Sequence, residues 1–379
     1  MTPARAAPLN YNMGIKNLKS IVERVSPHAR ESHNVGYFKN SSFAIDSSIF
    51  LYRFLYSKGH LDQPHIVGFL NKVIYFLKNG ITPLFVWDGI PPQEKDDVLS
   101  KRWENKKRIE EKISVLNDKI QKLTEDVTTV KDDDEEGKDL PFLPEQDELD
   151  LFIKNQELLN TYQTEVKKLS KQLIYVKKHH KEDVKELLDI IGIPHIAAKG
   201  EAEALCSQLA KEAKVNFVLS EDTDTLVHGS PNLIQNGTNN DEFILTHSDI
   251  LMKGLKLTFP QFMDFCILCG CDYTCTIPKL GPVTAYNFIT QWGSIEEIIA
   301  NLPSKFKVPS EFNYKKSREL FLEEPSIPPG WQMRVDKIGN LDRWETNLLT
   351  WMTKKGFKSY QIDKYIQELK IAFRGIKNN

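Results

Sequence analysis

Four short runs of apolar, β-favouring residues stand out along the chain: FAID at 43–46, PLFVWD at 83–88, PHIAA at 194–198 and NFVLSED at 216–222. Between them lie stretches with helical period, among them IVGFLNKVIYFLKNG at 66–80 and EDVKELLDIIG at 182–192. Strands that alternate with helices predict an α/β fold: a central, mostly parallel sheet flanked by helices. Ligands of such sheets gather at the carboxyl ends of the strands. Asp46, Asp88 and Asp222 fall at those ends.

The period changes between about Gln93 and His180. Ile109, Ile113, Leu116, Ile120, Leu123 and Val127 repeat with heptad spacing, and so do Leu159, Tyr162, Val166, Leu169, Leu173 and Val176. Two helices of matched length, paired as an antiparallel hairpin, are expected. The segment joining them, 131–150, holds ten acids against two lysines. With so little apolar surface to bury it reads as a mobile acidic loop. From about Pro260 the pattern is mainly helical, and no internal repeat is visible.

Charge sharpens this picture. The formal net charge is -2, yet the acidic segment alone carries -8, which leaves +6 on the rest of the chain. Hydrophobic residues make up 40%, enough for a sizeable core. No run of about 18 apolar residues predicts a membrane span, and the N-terminal dozen lacks the apolar stretch of a secretion signal. Five cysteines are sparse and odd in number, which points to a reducing compartment. Cys266, Cys269, Cys271 and Cys275 lack the two separated pairs of a zinc ribbon and read as free thiols. His179 and His180 read as a charged surface at the end of a basic helix, and Trp87 as core.

Seven acids occupy places where an ordinary core would not put them. Asp46 and Asp88 close apolar strands, Asp222 and Asp224 follow a third, and Asp272 follows an apolar helix. Glu201 and Glu203 stand in GEAEA, where the first turn of a helix favours acids. A buried carboxylate without a partner is costly. Two of them 4 Å apart repel by about 4 kcal/mol at an effective dielectric of 20. If the seven converge they need protons or cations, and an all-oxygen donor set suits Mg²⁺ or Mn²⁺ rather than zinc. Two such ions can hydrolyse a phosphodiester. Lys95, Lys101, Arg102, Lys106, Lys107 and Arg108 follow Asp88 as a basic helix that reads equally as a solvated face.

Six segments taken together resemble the flap endonucleases, within the XPG-type structure-specific 5′ nucleases. They are AIDSSIFLY (44–52), FVWDGIPPQEK (85–95), GEAEA (200–204), LSEDTDTLVHG (219–229), CILCGCDYTCTIPKLGP (266–282) and ELFLE (319–323). The likeness runs from MGIKNL at 13–18 to about residue 324. It implies a PIN-like sheet, a helical arch and a helix–two-turn–helix element. It further implies hydrolysis by two Mg²⁺ ions, with Mn²⁺ as a substitute, at 5′ flaps or branched DNA in replication and repair. Asp46, Asp88, Glu201 and Glu203 would hold one metal. Asp222, Asp224 and Asp272 would hold the second, with Glu203 shared. Lys95 and Arg102 match catalytic cations at the base of the arch. Tyr52, Lys72, Gly270, Lys279 and Gly281 match DNA-contacting positions, beside Glu201 and Asp272.

The resemblance also sets boundaries: an extension at 1–12, nuclease segments at 13–92 and 182–325, an arch insertion at 93–181 and a C-terminal helical segment at 326–379. The departures from the family pattern are local. Lys279 replaces the first glycine of the G-x-G-P hairpin that binds duplex backbone with a K⁺ ion, so altered duplex binding is expected. Translation from Met13 would remove the extension. No Q-x-x-[ILM]-x-x-aromatic-aromatic segment closes the chain, so sliding-clamp binding lacks its usual support. A monomer is expected, in the nucleus or another intracellular site of replication. A 5′ exonuclease, a junction resolvase or a metal-dependent RNase are the neighbouring enzyme readings. A non-catalytic DNA-junction binder is the reading from another class.

Overall fold

In a computed structural model the structure describes residues 14–57, 61–129, 146–237, 239 and 241–377, with the side chains of 126–129, 146–149 and 376–377 excepted. The extension at 1–12, Met13 and nearly all of the acidic segment therefore lie outside the described residues. The chain divides into two compact units, Asp96–Tyr175 and the remainder.

The larger unit is built on seven strands: β1 (Arg30–Asn34), β2 (Ser42–Asp46), β3 (Thr82–Trp87), β4 (His195–Ala197), β5 (Phe217–Leu219), β6 (Asn232–Asn236) and β7 (Glu242–His247). They lie in the order β1-β7-β6-β5-β2-β3-β4. The pairs β2–β3, β2–β5, β3–β4 and β5–β6 are parallel, while β7 is antiparallel to both β1 and β6. The four expected strands form the parallel centre. β1, β6 and β7 were not signalled: RESHN is almost wholly polar, and an edge strand buries too little for a period of two to show.

The central strands are buried on both faces, so they read as continuous apolar runs. Their two faces nonetheless belong to different cores. Phe43, Ile45, Phe85, Trp87 and Leu219 enter a layer of aromatic and aliphatic side chains shared with the helices Pro64–Lys78, Lys178–Ile191, Trp344–Lys354 and Ser359–Lys377. Ala44, Leu84, Val86 and Val218 face the other way, onto the helices Ala202–Lys211 and Phe259–Cys269. Side chains alternate along a strand. Asp46 therefore shares the face of Ala44, and Asp88 that of Leu84 and Val86.

The chain runs β2, β3, β4 in one direction and then returns to place β5 on the opposite side of β2. That reversal opens a crevice at the carboxyl ends of β2 and β5.

The smaller unit is a hairpin of the helices Asp96–Thr129 and Gln146–Ser170. Lys106 donates to the carbonyl of Ile174 at 2.8 Å, the Tyr175 hydroxyl to Glu110 at 2.7 Å, and Lys119 lies over Tyr162, so the helices are antiparallel. Ile109, Ile113, Leu116, Ile120 and Leu123 are half-buried between exposed neighbours, as are Leu159, Tyr162, Val166 and Leu169. The second helix ends at Ser170, short of the Val176 that its repeat suggested. The contacts of Lys106 and Tyr175 hold the following residues extended instead, and Val176 is exposed.

Candidate active site

Each acid is set in place by the local chain. Asp46 is the last residue of β2, 1% exposed; its Oδ1 accepts the Ser48 amide at 3.1 Å and its Oδ2 the Ser220 hydroxyl at 3.3 Å. Asp88 follows β3 and accepts the Ala202 amide at 2.9 Å, which ties it to the start of the helix Ala202–Lys211. Glu201 caps that helix and Glu203 lies in its first turn. Asp222 follows β5 by three residues and accepts the Asp224 amide at 2.9 Å. Asp272 comes just after Gly270, which ends the helix Phe259–Cys269.

The acids form a linked set: Asp46 and Glu203 are repelled by Asp88 and Asp222, and Asp222 and Asp224 by Glu201 and Asp272. Burial pushes Asp46 well above the usual carboxylate range, and repulsion from Asp88 and Asp222 adds to it. Glu203 is raised in the same way, first by burial and then by Asp46, Asp222 and Asp88. Asp224 is raised by burial, Asp222, Asp272 and Glu201. Burial lifts Asp222 to about 6 despite the amide and Lys95 acting against it. Acids spread from 46 to 272 along the chain are thus linked by repulsion.

Lys95 answers part of this charge. Its ammonium contacts Glu201 Oε1 and lies 3.5 Å from Asp272 Oδ2. Burial opposes its charge, but Glu201, Glu203 and Asp272 outweigh that and hold it protonated. The Tyr273 hydroxyl donates to the other oxygen of Glu201 and lies 3.4 Å from His228 Nε2. Asp46, Glu203, Asp222 and Asp224 have no ion-pair partner among the described residues. Both oxygens of Asp224 are buried without a donor.

The donor set fits hard divalent cations: it is all oxygen, negatively charged, and partly orphaned. As it stands, no three His, Cys, Asp or Glu side chains among the described residues meet the geometry of a metal site. Lys95 between Glu201 and Asp272 fills part of the cation's electrostatic role.

Two glycines show how tightly backbone is packed here. Gly14 adopts φ +77°, and a Cβ there would lie 2.2 Å from Asp222 Oδ1; the next amide, of Ile15, donates to Thr223 Oγ1 at 2.9 Å. Gly270 adopts φ +113°, and a Cβ would meet Thr276 at 2.7 Å. Gly14, Tyr273, His228 and Ser220 were missed as site residues. Only the MGI start of the matched region hinted at the first.

The other expected positions are spread over several elements. Arg102 lies on the helix Asp96–Thr129 of the smaller unit. Tyr52 is half-buried on the helix Ser47–Ser57 that continues from Asp46. Lys72 is half-buried on the helix Pro64–Lys78: its ammonium lies 4.9–5.5 Å from the ring centres of Phe50, Tyr75, Phe76 and Phe243, and burial lowers it to about 8. Lys279 adopts φ +68°, the left-handed conformation that explains glycine in the family pattern. Gly281 caps the helix Pro282–Trp292 with open space where a Cβ would be.

Two side readings can also be checked. Cys206, Cys266, Cys269 and Cys271 are buried and Cys275 exposed, all as free thiols. His179 and His180 begin a helix rather than end one, and burial holds His180 near 4, so it is uncharged at neutral pH. No helix of the described residues is long and apolar enough to cross a membrane.

The chain is similar to known proteins in sequence and in fold. Residues 13–109 match the XPG N-terminal domain and residues 192–272 the XPG I-region. The catalytic core of Rad2 in complex with DNA substrate shares the fold at a TM-score of 0.66 and 17% identity, over 94% of this chain and 100% of that one. Flap endonuclease-1 from Methanococcus jannaschii gives 0.59 at 21% identity, over 92% and 96%. Fold and matched domains together point to the XPG-type class.

Flap endonuclease 1 of Vanderwaltozyma polyspora is 30% identical over 97% of this chain and 89% of its own length. That of Entamoeba histolytica is 31% identical over 94% and 88%. The chain belongs to the flap endonuclease family of XPG-type structure-specific 5′ nucleases, and it is a hydrolase.

Proposed function

We propose that this nuclease cuts phosphodiester bonds at 5′ flaps or related branches of DNA during replication and repair, with two Mg²⁺ ions that Mn²⁺ can replace. Asp46, Asp88, Glu201 and Glu203 are assigned to one ion, and Asp222, Asp224 and Asp272 to the other. Two ions bound in such a pocket supply an activated water and stabilise the leaving oxygen. Lys95 pairs with Glu201 and Asp272 and is a cation available to a scissile phosphate, with Arg102 as the second cation assigned. Tyr273 fixes the rotamer of Glu201, and Ser220 that of Asp46. Gly14 and Thr223 close the chain against Asp222. The work of such an enzyme places it in the nucleus or another intracellular site of DNA replication.

One observation carries this reading: three buried acids and the half-buried Glu203, from distant segments, repel one another at the crevice of the sheet with no ion-pair partner among the described residues. The test is to incubate the protein with 5′-flap, nicked, Holliday-junction and RNA substrates, in Mg²⁺ and in EDTA. Flap cleavage in Mg²⁺ alone is expected, and Asp222→Asn should lower it by at least about 10³-fold while flap binding persists. Preferential cutting of Holliday junctions would reassign the substrate. Undiminished turnover by Asp222→Asn would refute the site.

A further inference from the structure

The basic start of the hairpin carries a feature that the carboxylate pocket does not use. From Lys101 to Arg108 the sequence KRWENKKR holds five cations against one acid, a net of +4. The rest of that helix loses this character: residues 109–125 contain four acids and three lysines. Within the short basic stretch stands Trp103, 63% exposed. Such exposure is unusual for so large an aromatic ring, whose burial would contribute more than that of most side chains. It also sets Trp103 apart from the other five tryptophans. Trp87, Trp344 and Trp351 are buried, and Trp292 and Trp331 are half-buried.

The surroundings of Trp103 say what kind of ligand it suits. It is not part of the apolar seam, whose line runs through Lys106, Ile109 and Ile113. Lys107, one turn on and on the same side of the helix, has its ammonium 5.9 Å from the centre of the indole. An aromatic ring has two faces, and the cation uses one. Lys106 faces the seam instead, donating to the Ile174 carbonyl over the ring of Tyr175, while Lys101, Arg102 and Arg108 are exposed. An exposed ring bordered by cations matches the two demands of single-stranded nucleic acid: phosphates seek positive charge, and unpaired bases seek a flat surface to stack on. An apolar protein partner would meet four excess positive charges around its contact. A duplex keeps its bases paired and inaccessible to the ring.

We infer that Trp103 is a stacking platform for an unpaired base of single-stranded DNA, held there by the cations of residues 101–108. This refinement rests on the nuclease reading above, which supplies a substrate with an unpaired strand. It makes Trp103 a determinant of which strands bind, separate from the acids that cut.

The test uses the full-length protein in EDTA, so that no strand is cut. Oligo(dT) and an abasic deoxyribose-phosphate strand of the same length are titrated against it. Because Trp103 is the most exposed of the six tryptophans, oligo(dT) should quench the solvent-exposed part of the emission and protect it from acrylamide. Trp103→Ala should lower the affinity for oligo(dT) roughly tenfold, and Trp103→Phe should lower it less. Both variants should bind the abasic strand as the parent does. Unchanged oligo(dT) affinity in Trp103→Ala overturns the inference and turns the ring toward a protein partner. Equal loss on both strands overturns it too, since bases would then play no part. Flap cleavage by the unsubstituted protein in Mg²⁺ is scored independently. Cleavage without the stacking effect removes this inference alone; the stacking effect without cleavage removes the functional reading alone.

Discussion

Asp264 and Asp224 are acids sealed from solvent to the same degree, 4% and 3% exposed, and their surroundings treat them in opposite ways. Arg318 grips Asp264 with two parallel bonds, Nε to Oδ1 and Nη2 to Oδ2, both 2.6 Å, and the Ile295 amide adds a third at 3.1 Å. The same guanidinium reaches Glu296, whose carboxyl its hydrogen bonds pull down to about 2. Asp224 has neither cation nor donor on either oxygen. Both cost desolvation, but only the first recovers it from the protein itself. A buried acid that is fully answered holds helices together, whereas one left unanswered and beside other acids marks chemistry done with something from outside. Asp183 is the middle case: Lys355 meets it at 2.6 Å and His65 at 3.1 Å, so one of its two partners is a group that titrates.

The largest effect should come from breaking the answered pair. Arg318→Ala strands Asp264 in the core and should cost about 3 kcal/mol of stability in urea unfolding, with cleavage per folded molecule unchanged. A loss below about 0.5 kcal/mol would mean that the pair is only a surface contact. Asp224→Asn should act with the opposite sign in the absence of divalent ions. Removing an unanswered buried charge should raise the melting temperature by about 2–4 °C. Mg²⁺ should then stabilise the parent more than the variant, because binding favours the folded state. A lower melting temperature for the variant in EDTA would show that the charge is already satisfied.

The smallest effect is expected from the middle case. His180 lies against His65, the partner of Asp183, with ring centres 4.7 Å apart and the rings tilted by 45°, and burial lowers it to about 4. Its proton is therefore taken up more readily by the unfolded chain, whose imidazole titrates near 6.5. The stability it contributes is complete above about pH 6.5 and is lost as pH falls toward 4. The raised acids of the pocket run the other way, so the useful measurement is a difference. Between pH 7 and 4.5 the parent should lose more stability than His180→Gln. Parallel pH curves would remove the cluster from the account.

Much of the pocket was legible because burial and alternation are written locally. Asp46 and Asp88 end strands whose parity decides their face, and GEAEA carries the signature of a helix start. What could not be read is pairing across distance. Lys95 was visible as a cation but not as the partner of Glu201 and Asp272, more than a hundred residues away. Lys72 was visible as a cation too, but the rings of Phe50, Tyr75, Phe76 and Phe243 that gather around its ammonium come from three separate elements. The polar β1 owes its existence to hydrogen bonding with β7 rather than to any pattern of its own. Gly14 is constrained by Asp222, a residue 208 places further on, and its own neighbours in sequence say nothing of that.

The alternation of β2 has a consequence for how this chain can change. Phe43 and Ile45 line one layer while Ala44 and Asp46 line the other, so a deletion of one residue inside the strand would send the acid among phenylalanines and a phenylalanine toward the acids. Hydrophobic cohesion and reactivity are interleaved on a single five-residue ribbon, and neither can be shifted without forfeiting both. Drift in length is tolerable in the connections but not there, and natural variants that lengthen or shorten this ribbon should be absent among those that still cut.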